Sequence, residues 1–271
     1  MTRPVVLKLG GELLEDAART QRVAEAIVQA AATTPLAVVH GGGREIDAAL
    51  AKAGIPKQQV DGIRITDQPT LDIVVAVMAG AINTRLVAAI NAAGGRSVGL
   101  TGADATVAPV EPMPAFRSVE GETVSPGLVG QPKPDGVPHL VAHVIMGGYV
   151  PIVATIGAGE DGTLYNVNAD TMAAALAVRL RASRLVIAGT TPGVLDEHGR
   201  TIACLDAAAE RALVAGGTVN RGMLAKLQAC RSALAGGVVD VVIVDGRDAE
   251  RLRAALSDQW QPADDAMTRV L

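Results

Sequence analysis

Short runs of aliphatic residues alternate along this chain with longer segments of helical periodicity. The clearest runs, each expected to form a buried strand, lie at residues 5–9, 36–39, 97–100, 150–154, 185–188 and 241–244. The helical segments lie between and after these runs, at residues 20–32, 44–53, 68–93, 140–147, 169–182, 207–215, 222–235 and 248–257. Strands that alternate with helices are joined by right-handed crossovers and pair in parallel. The alternation therefore predicts an α/β fold with a mostly parallel sheet.

The composition indicates how the core is built and which partners are disfavoured. Hydrophobic residues make up 49% of the 271 residues and aromatic residues only 1%, so the core must consist of Val, Ile, Leu and Ala. Such a core suits parallel strands covered by helices on both faces. Few aromatic side chains, a formal net charge of −4 and no run of like charges argue against binding to nucleic acid or to an anionic membrane as a main role.

One region interrupts the alternation. Residues 104–138 contain half of the chain's 14 prolines and little helical pattern, which predicts short β-hairpins and loops inserted at one edge of the sheet. Insertions of this kind often shape or cover a ligand site. A second boundary is expected near residues 181–184, between a long helix and a new strand, and divides the chain into lobes at 1–181 and 182–271.

The cysteines and the start of the chain bear on the compartment. Cys204 and Cys230 have no Cys or His neighbour at metal-ligand spacing, so we expect two buried thiols in a reducing cytosol and no metal site. Residues 1–9 lack the layout of a signal peptide. The uncharged stretch at 141–159 contains Pro151 and several glycines, which favours a turn and a buried strand over a membrane span. We therefore expect a soluble cytoplasmic protein.

Two glycine-containing segments follow predicted strands. In V-L-K-L-G-G at residues 6–11, Lys8 precedes two glycines that allow backbone N–H groups to approach a phosphate, and the lysine adds a point charge. In H-G-G-G at residues 40–43, three glycines between a strand and a helix expose N–H groups at the helix N-terminus, which is an anion cradle. Each segment alone is also compatible with an ordinary tight turn. The P-loop and dinucleotide fingerprints are absent from the chain.

Three further segments carry polar groups with two possible roles each. Arg64, in D-G-I-R-I-T, could form a bidentate contact with a carboxylate or lie on a surface strand. In Y-N-V-N-A-D, Asn166 and Asn168 alternate along an extended segment and could face the same side, while Asp170 lies at a helix start, where N-capping is its alternative role. Lys226, in G-M-L-A-K, could reach a ligand or lie on a solvated helix face.

Taken together and in this order, the segments resemble the amino acid kinase family, and within it the acetylglutamate kinases. The resemblance runs nearly from end to end and also includes V-G-L-T-G-A-D, L-V-G, G-Y-V-P-I-V and P-G-V-L-D. It implies a three-layer αβα sandwich with a mostly parallel central sheet. It also implies that lobe 1–181 binds an acyl-amino acid and dimerises, and that lobe 182–271 binds ATP.

The resemblance further implies roles for individual residues. The expected catalytic residues are Lys8 and Lys226, which contact the transferring phosphoryl group, and Asp170, which orients both lysines. The expected phosphate-binding residues are Gly10, Gly11, Gly42 and Gly43. The expected substrate-binding residues are Gly42, Gly43, Arg64, Asn166 and Asn168. The expected nucleotide-binding residues are Thr190, Thr191, Gly193, Val194, Leu195, Arg221, Gly222 and Met223. No residue is expected to be a dedicated metal ligand, because Mg²⁺ is coordinated mainly by the ATP phosphates and water.

The chemistry of a carboxylate acceptor is consistent with these residue types. A side-chain carboxylate has a reference pKa of about 4.3, so it is a nucleophile at neutral pH without a general base. The expected reaction is therefore ATP-dependent phosphorylation of the side-chain carboxylate of N-acetyl-L-glutamate to an acyl phosphate, in arginine biosynthesis. Two alternatives are a kinase of the same fold acting on another acyl-amino acid, N-succinylglutamate or a carrier-linked substrate, and a non-catalytic regulatory protein that binds a metabolite.

Two positions depart from the family's pattern. Thr190 stands where an aspartate is expected before P-G-V-L-D, and the loop before Met223 contains Arg221 where the family usually has Gly or Asp. The first predicted strand begins within a few residues of Met1, from which the resemblance implies a homodimer without arginine feedback. The apolar helix at residues 68–93 is expected to be either an interface element or ordinary core.

Overall fold

The computed structural model describes residues 2–133, 135–217, 219, 221–257 and 267–271, and for Arg221 the backbone only. The strands are β1 Val5–Leu9, β2 Leu36–His40, β3 Gln59–Val60, β4 Ile63–Arg64, β5 Ser97–Thr101, β6 Val110–Pro112, β7 Phe116–Arg117, β8 Thr123–Val124, β9 Val129–Pro132, β10 Val150–Ala154, β11 Ile156–Ala158, β12 Leu164–Val167, β13 Arg184–Gly189, β14 Cys204–Leu205, β15 Asp240–Asp245 and β16 Met267–Val270. The α-helices are α1 Ala17–Ala31, α2 Gly43–Lys52, α3 Gln68–Val75, α4 Asn83–Ala92, α5 His139–Met146, α6 Ala169–Arg179, α7 Ala207–Ala215, α8 Arg221–Ala235 and α9 Ala249–Leu256.

The central sheet has the order β14-β16-β15-β13-β1-β2-β10-β5. From β15 to β5 all neighbours are parallel, and β16 is antiparallel to β15. The six predicted strands are all present in this sheet, with ends shifted by no more than one residue, and the predicted α/β class with a mostly parallel sheet is confirmed. The two strands at the far edge, β14 and β16, were not predicted.

Both faces of the sheet are buried, and β1 shows how the residues divide between them. Val5, Leu7 and Leu9 pack with α1, α9 and the long helical stretch at residues 68–92. Val6 points to the opposite face and packs with α5, α6 and α8. Side chains alternate across a strand, so Lys8 shares the second face with Val6. The two helical layers confirm the three-layer sandwich.

The proline-rich region builds a second layer of β structure. It contains the predicted short hairpins, β7 with β8 and β6 with β9. In addition, β6 and β9 join β11 and β12 in a four-stranded sheet of order β11-β12-β9-β6, which was not predicted. Arg179 of α6 fixes this region to the central helix, because its guanidinium donates to the carbonyls of Thr106, Val107 and Gly136.

The helix predicted at residues 68–93 has an irregular centre. A π-helical segment, Ala76–Ile82, separates α3 from α4. In the described part of the chain, the combined stretch Gln68–Ala92 is long and apolar enough to cross a membrane by length and composition alone, and its most apolar 18-residue window has a mean hydropathy of 2.0. It nevertheless packs on α1, β5 and β10, and Arg85 within it forms an ion pair with Glu45. These contacts are those of a helix in a folded α/β layer.

The prediction of two buried thiols was wrong for one cysteine. Cys230 is buried in α8, and burial raises the pKa of its thiol strongly. Cys204 is exposed and lies in the short strand β14, which has no neighbouring strand on one side because it is the last strand of the central sheet. Among the described residues, no group of His, Cys, Asp and Glu side chains could hold a metal ion.

Candidate active site

A buried ion pair lies at the carboxyl end of the central strand. Lys8, in β1, extends towards α6, and its Nζ lies 2.9 Å from Oδ1 of Asp170. Both residues are buried, with only 6% and 8% of their surfaces exposed. A lysine and an aspartate are rarely buried unless they are paired. The lysine and the aspartate predicted to act together are therefore in direct contact.

Asn168, and not Asp170, caps α6. Oδ1 of Asn168 accepts hydrogen bonds from the backbone N–H groups of Asp170 and Thr171, at 2.9 and 3.1 Å. An N-cap side chain satisfies N–H groups that have no partner within the helix. Because the cap is supplied two residues earlier, the carboxylate of Asp170 is available for Lys8.

The two glycine segments lie side by side. They follow β1 and β2, which are parallel neighbours in the sheet. A Cβ atom on Gly11 would lie 2.8 Å from Cα of Gly42, a distance that only glycine avoids. Gly43 begins α2, so its N–H and those that follow point out of a helix N-terminus, where anions are favoured. The sheet thus brings both glycine segments, predicted separately, to one edge.

Lys226 reaches the same place from another helix. It lies in α8, which packs along α6. A cavity of about 850 Å³ is lined by Lys8, both glycine segments, Asp170 and Lys226, and continues between α6 and α8. The predicted roles of these residues in phosphoryl transfer stay predictions, but the structure brings all of them to one cavity.

Arg64 also lines this cavity and is held by two contacts with α2. Its Nη2 donates to Oδ1 of Asp47 at 2.5 Å and to the carbonyl of Gly43 at 3.3 Å. Nη1 is buried and has no hydrogen-bond partner within the described chain. Burial alone would raise the pKa of Asp47, but hydrogen bonds from Lys57 and Arg64 outweigh it and hold that pKa below its ordinary value. The arginine is thus fixed by a charged carboxylate, with one N–H face left for a ligand.

Asn166 and Asn168 line the cavity together with Arg64, as the alternation of the sequence predicted. Nδ2 of Asn166 lies 3.3 Å from Oγ1 of Thr66, to which it donates. Within the described ranges, neither its amide oxygen nor the amide nitrogen of Asn168 has a hydrogen-bond partner, so both can bond a ligand. The two asparagines therefore offer one acceptor and one donor to a ligand beside the arginine.

The predicted nucleotide-binding turn lies next to this cavity and does not line it. Residues 190–195 follow β13, and the N–H of Gly10 donates to the carbonyl of Ala188 at 2.9 Å, so the turn and the first glycine segment share one sheet edge. Val194 is buried, while Thr191 is exposed. Gly222 and Met223 lie in the first turn of α8. The side chain of Arg221 lies outside the described part of the chain.

Two residues at the site had not been predicted. The carboxylate of Glu12 lines the cavity above Gly10, and it has no ion-pair or hydrogen-bond partner among the residues described. Thr268, in β16, is fully buried, and its Oγ1 accepts from the N–H of Val194 at 2.8 Å and donates to the carbonyl of Ile202 at 2.7 Å. Glu12 could have been noticed because it directly follows the glycine pair, whereas nothing near Thr268 in sequence points to the nucleotide turn.

The carboxyl edge of the parallel sheet brings together two glycine segments, a buried lysine and aspartate, and a second lysine. This arrangement is typical of an α/β protein that binds phosphate groups. The family model of the amino acid kinase family matches residues 3–245, and the chain belongs to that family.

Comparison with known proteins agrees with this result. The chain is 38% identical over 257 residues to the acetylglutamate kinase of Parvibaculum lavamentivorans and 41% identical over 252 residues to that of Azorhizobium caulinodans, in each case over 90% of this chain and 82% of the relative. Among solved structures, smu.665 from Streptococcus mutans superimposes with a TM-score of 0.77 at 22% identity, over 90% of this chain and 96% of that chain. The last similarity supports the fold alone.

Proposed function

We propose that this chain is an acetylglutamate kinase, which transfers the γ-phosphoryl group of ATP to the side-chain carboxylate of N-acetyl-L-glutamate and serves arginine biosynthesis. The names of its relatives support this function. The observation that carries the proposal is the single cavity that is lined by the Lys8–Asp170 pair, Lys226, both glycine segments and Arg64.

The reaction brings two anions together, so the residues must offset repulsion. The acceptor carboxylate is ionised at neutral pH and attacks the γ-phosphorus without a base. Lys8 and Lys226 neutralise charge on the transferring phosphoryl group and on the departing phosphate. The glycine N–H groups bind the equatorial oxygens of the transferring phosphoryl group. Asp170 keeps the Lys8 ammonium in a fixed direction and is not itself a base. One O–P bond forms as another breaks, and ADP leaves with the bonding electron pair.

Arg64 is proposed to bind the main-chain carboxylate of the acyl-amino acid. Its unpartnered Nη1 offers the donor, and Asp47 prevents the guanidinium from turning away. Asn166 and Asn168 provide an acceptor and a donor for the amide of the acetyl group. This arrangement explains why an N-acylated amino acid, which has an amide in place of an ammonium group, would be preferred.

ATP is proposed to bind beside the cavity with Mg²⁺. The uncommitted carboxylate of Glu12 is the kind of oxygen ligand that Mg²⁺ accepts, so this residue fits a cation that is held mainly by the nucleotide. The ion would neutralise phosphate charge. The adenosine side is assigned to the turn from Thr190 to Leu195 and to Arg221, Gly222 and Met223. The chain thereby divides into an acyl-amino acid lobe, 1–181, and a nucleotide lobe, 182–271, which share the central sheet.

We further propose that the protein is a cytoplasmic homodimer. The most apolar 18-residue window of the stretch Gln68–Ala92 has a mean hydropathy of 2.0, yet only 33% of that window is buried within one chain. It lies next to β5, which is the last strand at its edge of the central sheet. A second copy packed on this helix would cover apolar surface that is otherwise unpartnered.

A coupled ADP-release assay tests the proposed function. Purified protein would be supplied with MgATP and, in turn, N-acetyl-L-glutamate, N-succinyl-L-glutamate and free glutamate. We expect the highest kcat/KM with N-acetyl-L-glutamate, and hydroxylamine should trap the acyl phosphate product. Turnover only with another acyl-amino acid would reassign the substrate. No turnover with any of them, despite tight binding of one, would indicate a regulatory protein instead.

A further inference from the structure

The last residue of β2 is a buried histidine that contacts the glycine segment it precedes. His40 is fully buried, and its Nδ1 lies 3.3 Å from the carbonyl oxygen of Gly41. Its side chain lies on the face of the sheet opposite Lys8, so it cannot reach a ligand in the cavity. Its position suits an effect on the glycine backbone, not on the substrate.

The other ring nitrogen is held by an asparagine from the long helix. Nδ2 of Asn83 lies 3.1 Å from Nε2 of His40 and 2.9 Å from the carbonyl oxygen of Ile152. An amide NH₂ group only donates, so Nε2 of His40 must accept. The ring proton is therefore on Nδ1, where it can be donated to Gly41. Burial lowers the pKa of His40 to about 4, so the ring is neutral at physiological pH.

The π-helical segment explains how Asn83 reaches this place. An i→i+5 turn adds a residue to the helix and rotates everything that follows. Asn83 is the first residue after this segment, and it approaches the sheet so closely that a side chain on Gly99 would clash with its Oδ1. The segment also packs directly beneath the glycine loop, since a Cβ on Gly42 would lie 2.7 Å from Sδ of Met78.

We propose that His40 and Asn83 are positioning residues for the phosphate-binding loop 41–43, with Asn83 fixing the imidazole and the imidazole fixing the Gly41 carbonyl. Turning that carbonyl inward towards the face of α4 orients the peptide that joins Gly41 to Gly42, and with it the N–H of Gly42. This assignment goes beyond the proposed kinase function and rests on it only in calling the loop phosphate-binding.

The first test determines the tautomer of the His40 imidazole by NMR. Long-range ¹H–¹⁵N spectra of protein labelled at its four histidines, with His40→Leu used to identify the signals, should show the Nδ1–H tautomer for His40. Asn83→Ala should shift both ring nitrogens of His40 and change the chemical shift of the Gly42 amide, which belongs to the peptide that the Gly41 carbonyl orients. Ile90→Ala is the matched control, since Ile90 is buried in the same helix, seven positions after Asn83, and packs next to Gly95. An Nε2–H tautomer in the wild type would overturn the proposal.

The second test separates positioning from stability. Weakened loop geometry acts in the transition state, so His40→Leu and Asn83→Ala should lower kcat by roughly 10- to 100-fold, as for other residues that orient a reactive group, with little change in KM for the acyl-amino acid. His40→Asn retains an N–H near the Nδ1 position and should recover part of kcat. If Ile90→Ala lost as much kcat as these variants, and if each loss matched the fraction of unfolded protein, the positioning role would be refuted. An inactive wild type would refute the kinase function alone, since the ring and amide measurements stand without turnover.

Discussion

The Lys8–Asp170 pair allows stability and catalysis to be separated within one site. The two charged groups lie 2.9 Å apart with only 8% and 12% of their side chains exposed, so solvent screens their attraction little. Removing one partner of such a pair costs about 3–5 kcal/mol, because an uncompensated charge stays buried. Lys8→Met and Asp170→Asn should each lower the free energy of unfolding by about this amount, which a domain with a stability of about 5–15 kcal/mol can survive.

The double variant Lys8→Met/Asp170→Asn should behave differently in the two measurements. Replacing both charges by neutral groups of similar size is often neutral for stability, so most of the lost unfolding free energy should return. Turnover should stay at least ~100-fold below the wild type, about 2.7 kcal/mol in the barrier, because the phosphoryl group still lacks its ammonium partner.

Urea unfolding and ADP release on the same preparations provide the two readouts. Lys133→Met is the control, since it breaks an ion pair with Glu160 whose carboxylate is 85% exposed and should cost at most about 1 kcal/mol. Turnover in Lys8→Met close to that of the wild type would refute the catalytic role. Recovery of turnover in the double variant would show that the single changes acted through folding.

Four other outcomes follow from the site. Lys226→Ala should lower turnover at least ~100-fold with an unfolding free energy within about 0.5 kcal/mol of the wild type, and unchanged steady-state kinetics would contradict its role. Arg64→Lys should raise KM for the acyl-amino acid by roughly 10-fold or more, because an ammonium lacks the planar fork; an unchanged KM would exclude Arg64 from the substrate site. Thr268→Val should raise KM for ATP and not for the acyl-amino acid, since it removes the hydroxyl that fixes the N–H of Val194; equal changes in both would argue against it. In the folded protein the pKa of His40 is about 4, below the ordinary value of 6.5, so the unfolded chain binds the proton first as the pH falls. The free energy of unfolding should therefore decrease by about 3 kcal/mol between pH 6.5 and pH 4. Urea unfolding of His40→Leu should lack this contribution to the pH dependence.

The central sheet could be predicted because its signal is local. Each run such as Val5–Leu9 is buried on both faces and therefore apolar throughout, and the glycine pairs mark the strand ends. The Lys8–Asp170 contact could be expected only from the family pattern, because the two residues are more than 150 positions apart in the sequence and nothing local links them. The cap of α6 was anticipated at Asp170 as an alternative and is supplied by Asn168.

Other features depend on tertiary packing and leave no local pattern. The π-helical segment Ala76–Ile82 has the composition of an ordinary apolar helix. Its extra residue brings Asn83 into contact with His40 and with the carbonyl of Ile152. Thr268 acts on the nucleotide turn from a strand more than 70 positions later. The second sheet joins β6 and β9 to β11 and β12 across a helix and a strand, so short runs with little periodicity in residues 104–138 could not indicate their partners.

The charges lining the cavity also constrain how it can work. Among the described residues, three cationic and three anionic side chains line it: Lys8, Arg64, Lys226, Glu12, Asp61 and Asp170. The lining is therefore not a positive funnel, and the chain as a whole is acidic, so long-range attraction cannot be what brings two anionic substrates together. The substrates must therefore be held by short-range contacts with groups in fixed orientations: the glycine N–H groups, one lysine fixed by Asp170 and one arginine fixed by Asp47. Such groups stabilise charge only where it develops, which is why the geometry of the glycine loop, and the residues behind it, should matter as much as the two lysines.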